Sequence, residues 1–586
     1  MKNKRISFVI NIIFNPNFET MRIGVLFLLL LFSSAGIYAQ LEKKYLNNET
    51  YEYDELIKAY MQLASLSDRA NLVEIGLSDY GEPIHLFLIA PKKMVENREL
   101  KDFDSSSILI NNAIHPGESC GVDASLHLAE DILFGKIQSE VRVCIIPAYN
   151  IGGMHNRRPN TRVNQVGPNS QGFRGNANNY DLNRDFTKAD TKNTQAFYEI
   201  FEIVKPQFFI DNHTTNGADY QYEQTLIFSP KEKFPKSLQD DADAFRKAVF
   251  NGVKREKVVA GNFVNVYGTT PDKGFAAFHE TPIYSTGYTA LFNTFGIVSE
   301  THMLKAYQRR VEATYALSKT VIAYANENGA AIKNKMEDAE EIGISSLPIQ
   351  WEIDSTKREI LKFLGFEYEY QTSDVTGGKR LKYLDKKKTY TIDYYPSYKP
   401  KLEVDVPKYY VVPKSWDRVL KRLNINFIKT IDIEPNIKTV EAYRIKSYKT
   451  SPSVYEGHFR HHNIEVEKFE TDIAIDERFI LVPTNQRGSK LIVHLLEPQA
   501  EGSLFSWNFF DPILQQKEWY SEYVFEETAK ELLETDSELK NTFEALKKEN
   551  PEFANNPRAQ LYFIYTNSSY CEPTHNLYPV YRLMPP

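Results

Sequence analysis

Short apolar runs alternate with amphipathic stretches along the first half of the chain. Tyr53 to Leu66 carries its apolar residues at helical spacing and predicts an amphipathic helix. Leu72 to Ile75 and Ile84 to Ile89 predict strands, separated by the turn-rich Ser78-Asp79-Tyr80-Gly81-Glu82-Pro83. Ile108 to Ile114 is a mostly apolar run that ends in His115. Pro116-Gly117 then turns the chain, and Glu118 opens a helical segment, Ser119 to Phe134. Val141 to Pro147 is a further strand, apolar except for Arg142. This order of strand, helix and strand, with strands that read as buried, predicts an α/β fold. Its sheet is mixed but mostly parallel, and helices flank it.

Residues 149–186 break the pattern. They are rich in Asn, Gly and Arg and poor in apolar periodicity; so long an irregular segment is either functional or disordered, and its five arginines suggest a loop that handles anions. Helical spacing returns at Thr194 to Val204. Gln207 to Asp211 is a strand that ends at Asn212-His213, and Phe245 to Val253 is helical. Ile297-Val298-Ser299 is a short strand that ends at Glu300, and Lys305 to Ala325 is a long helix. The charged tract Lys333 to Glu341 reads as a linker. From about Ser346 short strands such as KLEVDV and KYYVVP mix with short helices. The expected organisation is a leader over 1–39, a catalytic domain over 40–345 and a mixed α+β accessory domain over 346–586. A length of 586 residues requires more than one ordinary core.

Composition adds limits. The net charge of −7 with scattered Lys and Arg gives no nucleic-acid footprint. Residues 21–39 read as a secretory signal, with Arg22 before the apolar Ile23 to Phe32 and small residues leading to Ala39. The expected location is therefore periplasmic or extracellular, with no stable membrane insertion once the signal is removed. Cys120 and Cys144 read as buried small hydrophobes, and the chain has too few cysteines for a disulfide framework. The cluster His458, His461 and His462 lacks ligand spacing and reads as surface or structural.

Three strand ends thus carry His115 with Glu118, His213, and Glu300. Two imidazoles and a carboxylate suit a catalytic zinc with one open position, and a further carboxylate supplies a base. These residues, together with RGNANNYDLNRDF at 174–186 and FIDNH at 209–213, resemble the zinc metallocarboxypeptidases, the relatives of carboxypeptidases A and T, over roughly residues 50–325. The RGNA pattern is similar to that of bacterial members. The resemblance implies that His115, Glu118 and His213 bind one Zn2+ and that Glu300 is the general base, with Glu280 as the competing carboxylate. It implies that Asp181 supports His115 and that Asn183 and Arg184 hold the substrate's terminal carboxylate. Arg174 would stabilise the oxyanion, with Arg158 and Arg162 as alternatives. Tyr284 would close over the substrate, with Tyr288 second. Asp185 stands where many relatives have Asn, and its charge would weaken anion binding unless it orients Arg184.

The function this implies is an exported zinc metallopeptidase that removes C-terminal residues from peptides. One competing reading keeps the chemistry and changes the substrate to γ-D-glutamyl links of cell-wall muropeptides. Another is an inactive, secreted peptide-binding protein.

Overall fold

The computed structural model describes residues 40–91 and 105–585. The leader and signal expected over 1–39 lie outside the described residues. The first half of the chain forms β1 (Ala70–Leu77), β2 (Pro83–Ile89), β3 (Ser107–Asn111), β4 (Arg142–Ile146) and β5 (Phe208–Thr215). These are followed by β6 (Gln224–Phe228), β7 (Ala260–Asn262), β8 (Phe275–Ala276) and β9 (Phe295–His302). All but β8 join one sheet in the order β1-β2-β4-β3-β5-β9-β6-β7. The four central strands, β4, β3, β5 and β9, run parallel, whereas β1, β2 and β6 pair antiparallel with their inner neighbours. The sheet is therefore mixed around a parallel centre.

Burial explains that centre. Every residue of β3, β4 and β5 is buried, so these strands need cover on both faces. The helices Cys120–Leu133 and Lys236–Arg255 pack against a long helix, Tyr307–Ile342, which itself lies on β3, β5, β6 and β9. The approach is close: a Cβ at Gly252 would come within 2.1 Å of Thr320 Cγ2. The helix Lys192–Val204 lies against β1 and β2. The amphipathic helix occupies Tyr53–Leu66, as its spacing predicts, and is closed by a reciprocal Glu52–Glu55 capping box.

Several elements run further than their sequence pattern. β5 continues through His213 to Thr215 and β9 through Glu300 to His302, so both residues lie inside strands. Lys333 to Glu341 is helix, not linker, because the long helix keeps burying Gly329, Ile332 and Met336 past the first charged turns. All three cysteines are free.

The second half builds β10 (Ser346–Ile353), β11 (Glu359–Thr372), β12 (Lys379–Tyr395) and β13 (Tyr398–Asp405). It also builds a five-stranded sheet, in which β14 (Tyr409–Pro413), β15 (Asn436–Thr450), β16 (His461–Ile475), β17 (Phe479–Pro483) and β18 (Tyr581–Leu583) join in the order β16-β15-β18-β14-β17. SKLIVHLLEP, which reads as strand or buried segment, forms the buried helix Ser489–Leu496. The halves interlock: β8 pairs in parallel with β12, and the described residues from Lys43 onward form one compact unit. Among the described residues no helix is long and apolar enough to cross a membrane.

Candidate metal centre

His115 is set by the turn that follows β3. The chain leaves Asn111 through Ala113, whose φ of +57° is unusual for a residue with a side chain. A framework of amides fixes that turn. Asn112 donates to Ile146 O, Asn212 and Ser125 both donate to Asn112, and Asn150 donates to both Ile114 O and Arg174 O. The Glu118 N–H then bonds His115 O at 2.8 Å, which brings the carboxylate back beside the imidazole. His213 arrives on β5, directly opposite Glu300 on β9. Neighbouring strands lie about 4.8 Å apart and opposed side chains share a face, so Glu300 stands beside His213 by register alone.

The donor atoms converge. His115 Nδ1 is 3.2 Å from His213 Nδ1 and 3.3 Å from Glu118 Oε1, and His213 Nδ1 is 3.0 Å from Glu118 Oε2. All three residues are buried, and each offers one atom to a cluster spanning no more than 4.8 Å. Zinc bonds of about 2.1 Å at tetrahedral angles put donor atoms roughly 3.4 Å apart. The spacing and chemistry of the set therefore fit a divalent metal.

Each imidazole is backed on its other nitrogen. His115 Nε2 meets Asp181 Oδ1 at 2.9 Å. His213 Nε2 lies 3.0 Å from Asp211 Oδ2 but is poorly aligned for a hydrogen bond, so this contact acts mainly through charge. Carboxylates so placed leave Nδ1 free to bind metal. Asp211 is not among the residues singled out from the sequence. Its signal was the alternation of a strand, since positions 211 and 213 share a face.

The irregular loop supplies cations. Arg158 and Gln171 pair their backbones, which folds the loop back on itself. Arg162 then reaches Glu118 Oε1 at 2.5 Å and Thr214 O at 3.0 Å. Gly117 permits this approach, because a Cβ there would meet Arg162 Cδ at 2.7 Å and Gly172 O at 2.9 Å. Arg174 bonds Asp181 Oδ2 at 2.9 Å through Nε, lies 3.5 Å from Glu118 and is 44% exposed, so its guanidinium is open to a ligand.

The electrostatics follow from burial and this crowd of charges. Burial opposes the Glu118 charge, but Arg162 and His115 outweigh it and hold the carboxyl well below its ordinary range. Asp181 is likewise held low by His115 and Arg174 against burial. His213 favours its proton in the metal-free chain because Asp211 and Glu118 outweigh burial. Glu300 goes the other way: burial raises it to about 7, and its Oε2 has no partner. Glu280 is buried near Asp211 and Glu300 and is pushed up to about 8, mainly by burial.

Asn183 and Arg184 sit on a 3₁₀ turn, Leu182–Arg184, capped by Asp181. Asn183 Oδ1 accepts from Ser285 N at 3.1 Å, which ties this turn to Tyr284. The Arg184 guanidinium lies 4.5 Å from the Tyr284 ring centroid. Asp185 does not orient Arg184. It is fully buried and accepts bonds from Lys188, from Thr191 and from the Asp190 and Thr191 amides, so its charge is spent within the turn. Tyr284 is partly exposed beside Arg184, whereas Tyr288 is 1% exposed in an aromatic cluster and donates to Asn426 Oδ1 at 2.9 Å. The structure thus brings together His115, Glu118, Asp181, His213, Arg174 and Glu300, and places Asn183, Arg184 and Tyr284 side by side. Tyr288 stands apart in the core. His458, as its spacing suggested, is structural and contacts Asp190.

No protein-family model matches the chain. The chain is 22% identical over 491 residues to carboxypeptidase 2 of Trichophyton rubrum, covering 78% of this chain and 83% of that protein. It is 22% identical over 453 residues to carboxypeptidase 2 of Trichophyton tonsurans, covering 72% and 77%. A metallo-carboxypeptidase from Burkholderia cenocepacia aligns with a TM-score of 0.35 at 15% identity, over 47% of this chain and 69% of that one. Carboxypeptidase A from Helicoverpa armigera gives 0.35 at 14%, over 53% and 81%. The sequence similarity to carboxypeptidases extends over most of the chain and supports a hydrolase of the peptidase class.

Proposed function

We propose that the chain is an exported, zinc-dependent metallopeptidase that cleaves peptide bonds at C-termini. The observation that carries this reading is the convergence of two Nδ1 atoms and the Glu118 carboxylate within hydrogen-bond distance of one another, with Glu300 beside His213 by register. His115, Glu118 and His213 would hold the zinc, which supplies a polarising charge and lowers the pKa of a bound water to about 7. Asp181 and Asp211 keep the two imidazoles turned with Nδ1 inward. Glu300 takes the attacking water's proton and returns it to the departing amine. A carboxylate raised by burial and without a fixed partner suits both roles. Arg174, anchored by Asp181 but open to solvent, donates to the developing oxyanion, where one such donor contributes about 10²–10³ in rate. Arg162 is the alternative, since it also touches Glu118. Arg184 grips the terminal carboxylate with its planar fork, Asn183 assists, and the Tyr284 ring covers them.

We further propose that residues 346–586 act as an accessory part to this catalytic half. The assignment to secreted bacterial members rests on the RGNA pattern and the leader alone.

Metal analysis of protein purified without chelator, with product analysis on mixed peptides and purified muropeptides, tests the reading. One zinc per chain and release of single C-terminal residues are expected. Cleavage of muropeptides alone would move the substrate to the γ-D-glutamyl link. Absence of both metal and turnover would leave a peptide-binding protein.

A further inference from the structure

The loop Ser451–Arg460 joins β15 to β16 and is pinned onto the segment that carries Arg184. Glu456 Oε2 accepts from Asp181 N at 2.8 Å, and His458 Nε2 lies 2.8 Å from Asp190 Oδ2. Gly457 between them has a φ of +82°, and a Cβ there would come within 2.9 Å of the Tyr180 hydroxyl. Backbone pairing of Ser451 N with Arg460 O at 2.9 Å closes the loop. Arg460 is therefore held at a fixed place relative to Arg184, although 276 positions separate them (460 − 184).

Arg460 lines a cavity of about 460 Å³ whose wall also contains Tyr284, Tyr455, Trp351 and Gln350. Its guanidinium lies 4.3 Å from the Trp507 ring centroid and 5.7 Å from that of Tyr455. Among the described residues no carboxylate pairs with it, and its buried Nε has no hydrogen-bond partner. The other charged groups on the wall are Lys401 and Glu501; burial lowers the His279 imidazole beside Glu501 to about 4, so Glu501 keeps its charge and the wall carries two cations against one carboxylate. The cavity thus keeps an excess of positive charge on a wall that mixes aromatic with polar side chains. An ion pair formed there is less screened than one in open water.

Tyr284 connects this cavity to the site. One face of its ring lies against Arg184, and the residue also lines the cavity. Tyr284 is thus shared by the turn that carries Arg184 and by the wall that carries Arg460. We propose that Arg460 is a specificity-determining residue that receives a side-chain carboxylate, so that the preferred substrates are peptides ending in Asp or Glu. This rests on the carboxypeptidase reading and names its substrate class. A planar guanidinium grips a carboxylate through two bonds, and a neutral amide of the same shape leaves it unpaired.

The test uses peptides identical except for a final Glu, Gln or Leu, with the wild type and R460Q. In the wild type, kcat/KM for the Glu peptide exceeds that for the Gln peptide by roughly 10- to 100-fold, the range of a charged hydrogen bond. R460Q removes most of that ratio, and the loss falls on KM. Equal treatment of Glu and Gln peptides by the wild type would overturn the proposal, as would an R460Q defect of equal size on all three. Calorimetric binding of the same peptides to E300Q and to E300Q/R460Q gives a readout independent of turnover. Failure of the wild type to cleave any peptide would count against the carboxypeptidase reading, while the binding arm still decides on Arg460. Equal affinity of the two variants for the Glu peptide would sink the proposal.

Discussion

Replacing Asp211 by Asn isolates what a buried charge does for the metal centre. Asp211 is fully buried on β5 and has three neighbours. Oδ2 faces His213 Nε2 at 3.0 Å and also accepts from Ser285 Oγ, while Oδ1 accepts from Asn111 Nδ2 at 3.1 Å. In D211N the oxygen can stay on His213 and Ser285, which leaves the new NH₂ facing the Asn111 amide. Two donors would then meet. Asn111 can turn over, however, because its own Oδ1 is buried without a partner, and the turned amide offers an acceptor. The substitution therefore keeps shape and hydrogen bonding and removes the charge. Loss of such support to a metal histidine costs about 10–100-fold in affinity, or about 1.4–2.7 kcal/mol. Competition of the purified protein against a chromophoric zinc chelator reads this directly, and a thermal melt of the metal-free protein checks the fold. The expected result is weaker zinc binding with a metal-free melting temperature close to that of the wild type. Zinc affinity within twofold of wild type would refute the argument that the Asp211 charge holds His213 for the metal.

Other outcomes follow from the same geometry. E300Q should retain full zinc by elemental analysis yet lose most of kcat. The wild-type kcat/KM should fall in acid as Glu300 gains its proton, and that limb should vanish in E300Q; burial puts the group at about 7 in the metal-free chain, and a bound cation lowers it. H213A should bind no zinc under native mass spectrometry, and full occupancy would refute its role as ligand. K188M leaves the Asp185 carboxylate without the one cation that pairs with it among the described residues, Lys188 at 2.6 Å, with both side chains fully buried. Breaking a buried pair in this way costs about 3–5 kcal/mol, read as a shifted urea midpoint.

What the sequence disclosed depended on the range of the interaction that carries each feature. His115, Glu118, His213 and Glu300 were legible because each follows an apolar run, and parallel strands bring their C-terminal ends to one edge. The strand ends were misjudged for a related reason. Polar residues such as Asn212 and Thr214 look like termination, but here they are buried in amide and hydroxyl networks inside β5. The helix beyond Ala325 was hidden because its charged positions gave no apolar stripe strong enough to separate it from a linker. Tyr284 ranked ahead of Tyr288 only because it precedes a short helix, and packing against Tyr198 and Phe201 is what places Tyr288 in the core. Glu456 had no local signal, since its partner Asp181 lies 275 positions away.

That last contact shows where the second half of the chain exerts its effect. Glu456 bonds the Asp181 amide, Arg422 contacts Lys188 O and Asp190, His458 contacts Asp190, and Trp507 donates to Thr187 Oγ1. All of these land on Asp181–Asp190, the stretch that carries Asn183 and Arg184. None lands on His115, Glu118 or His213, which hang on β3 and β5 and the helix between them. The two parts of the site are therefore supported separately. The donor cluster is held by the central sheet, and the turn that carries Asn183 and Arg184 is tied to residues far along the chain. Asp181 and Ser285 are common to both: the Asp181 side chain holds His115 while its amide is held by Glu456, and Ser285 bonds Asn183 through its amide and Asp211 through its hydroxyl. A disturbance of the Ser451–Arg460 loop should thus reach the turn with Asn183 and Arg184 first, and reach the donor cluster only indirectly, through Asp181 or through Ser285 and Asp211.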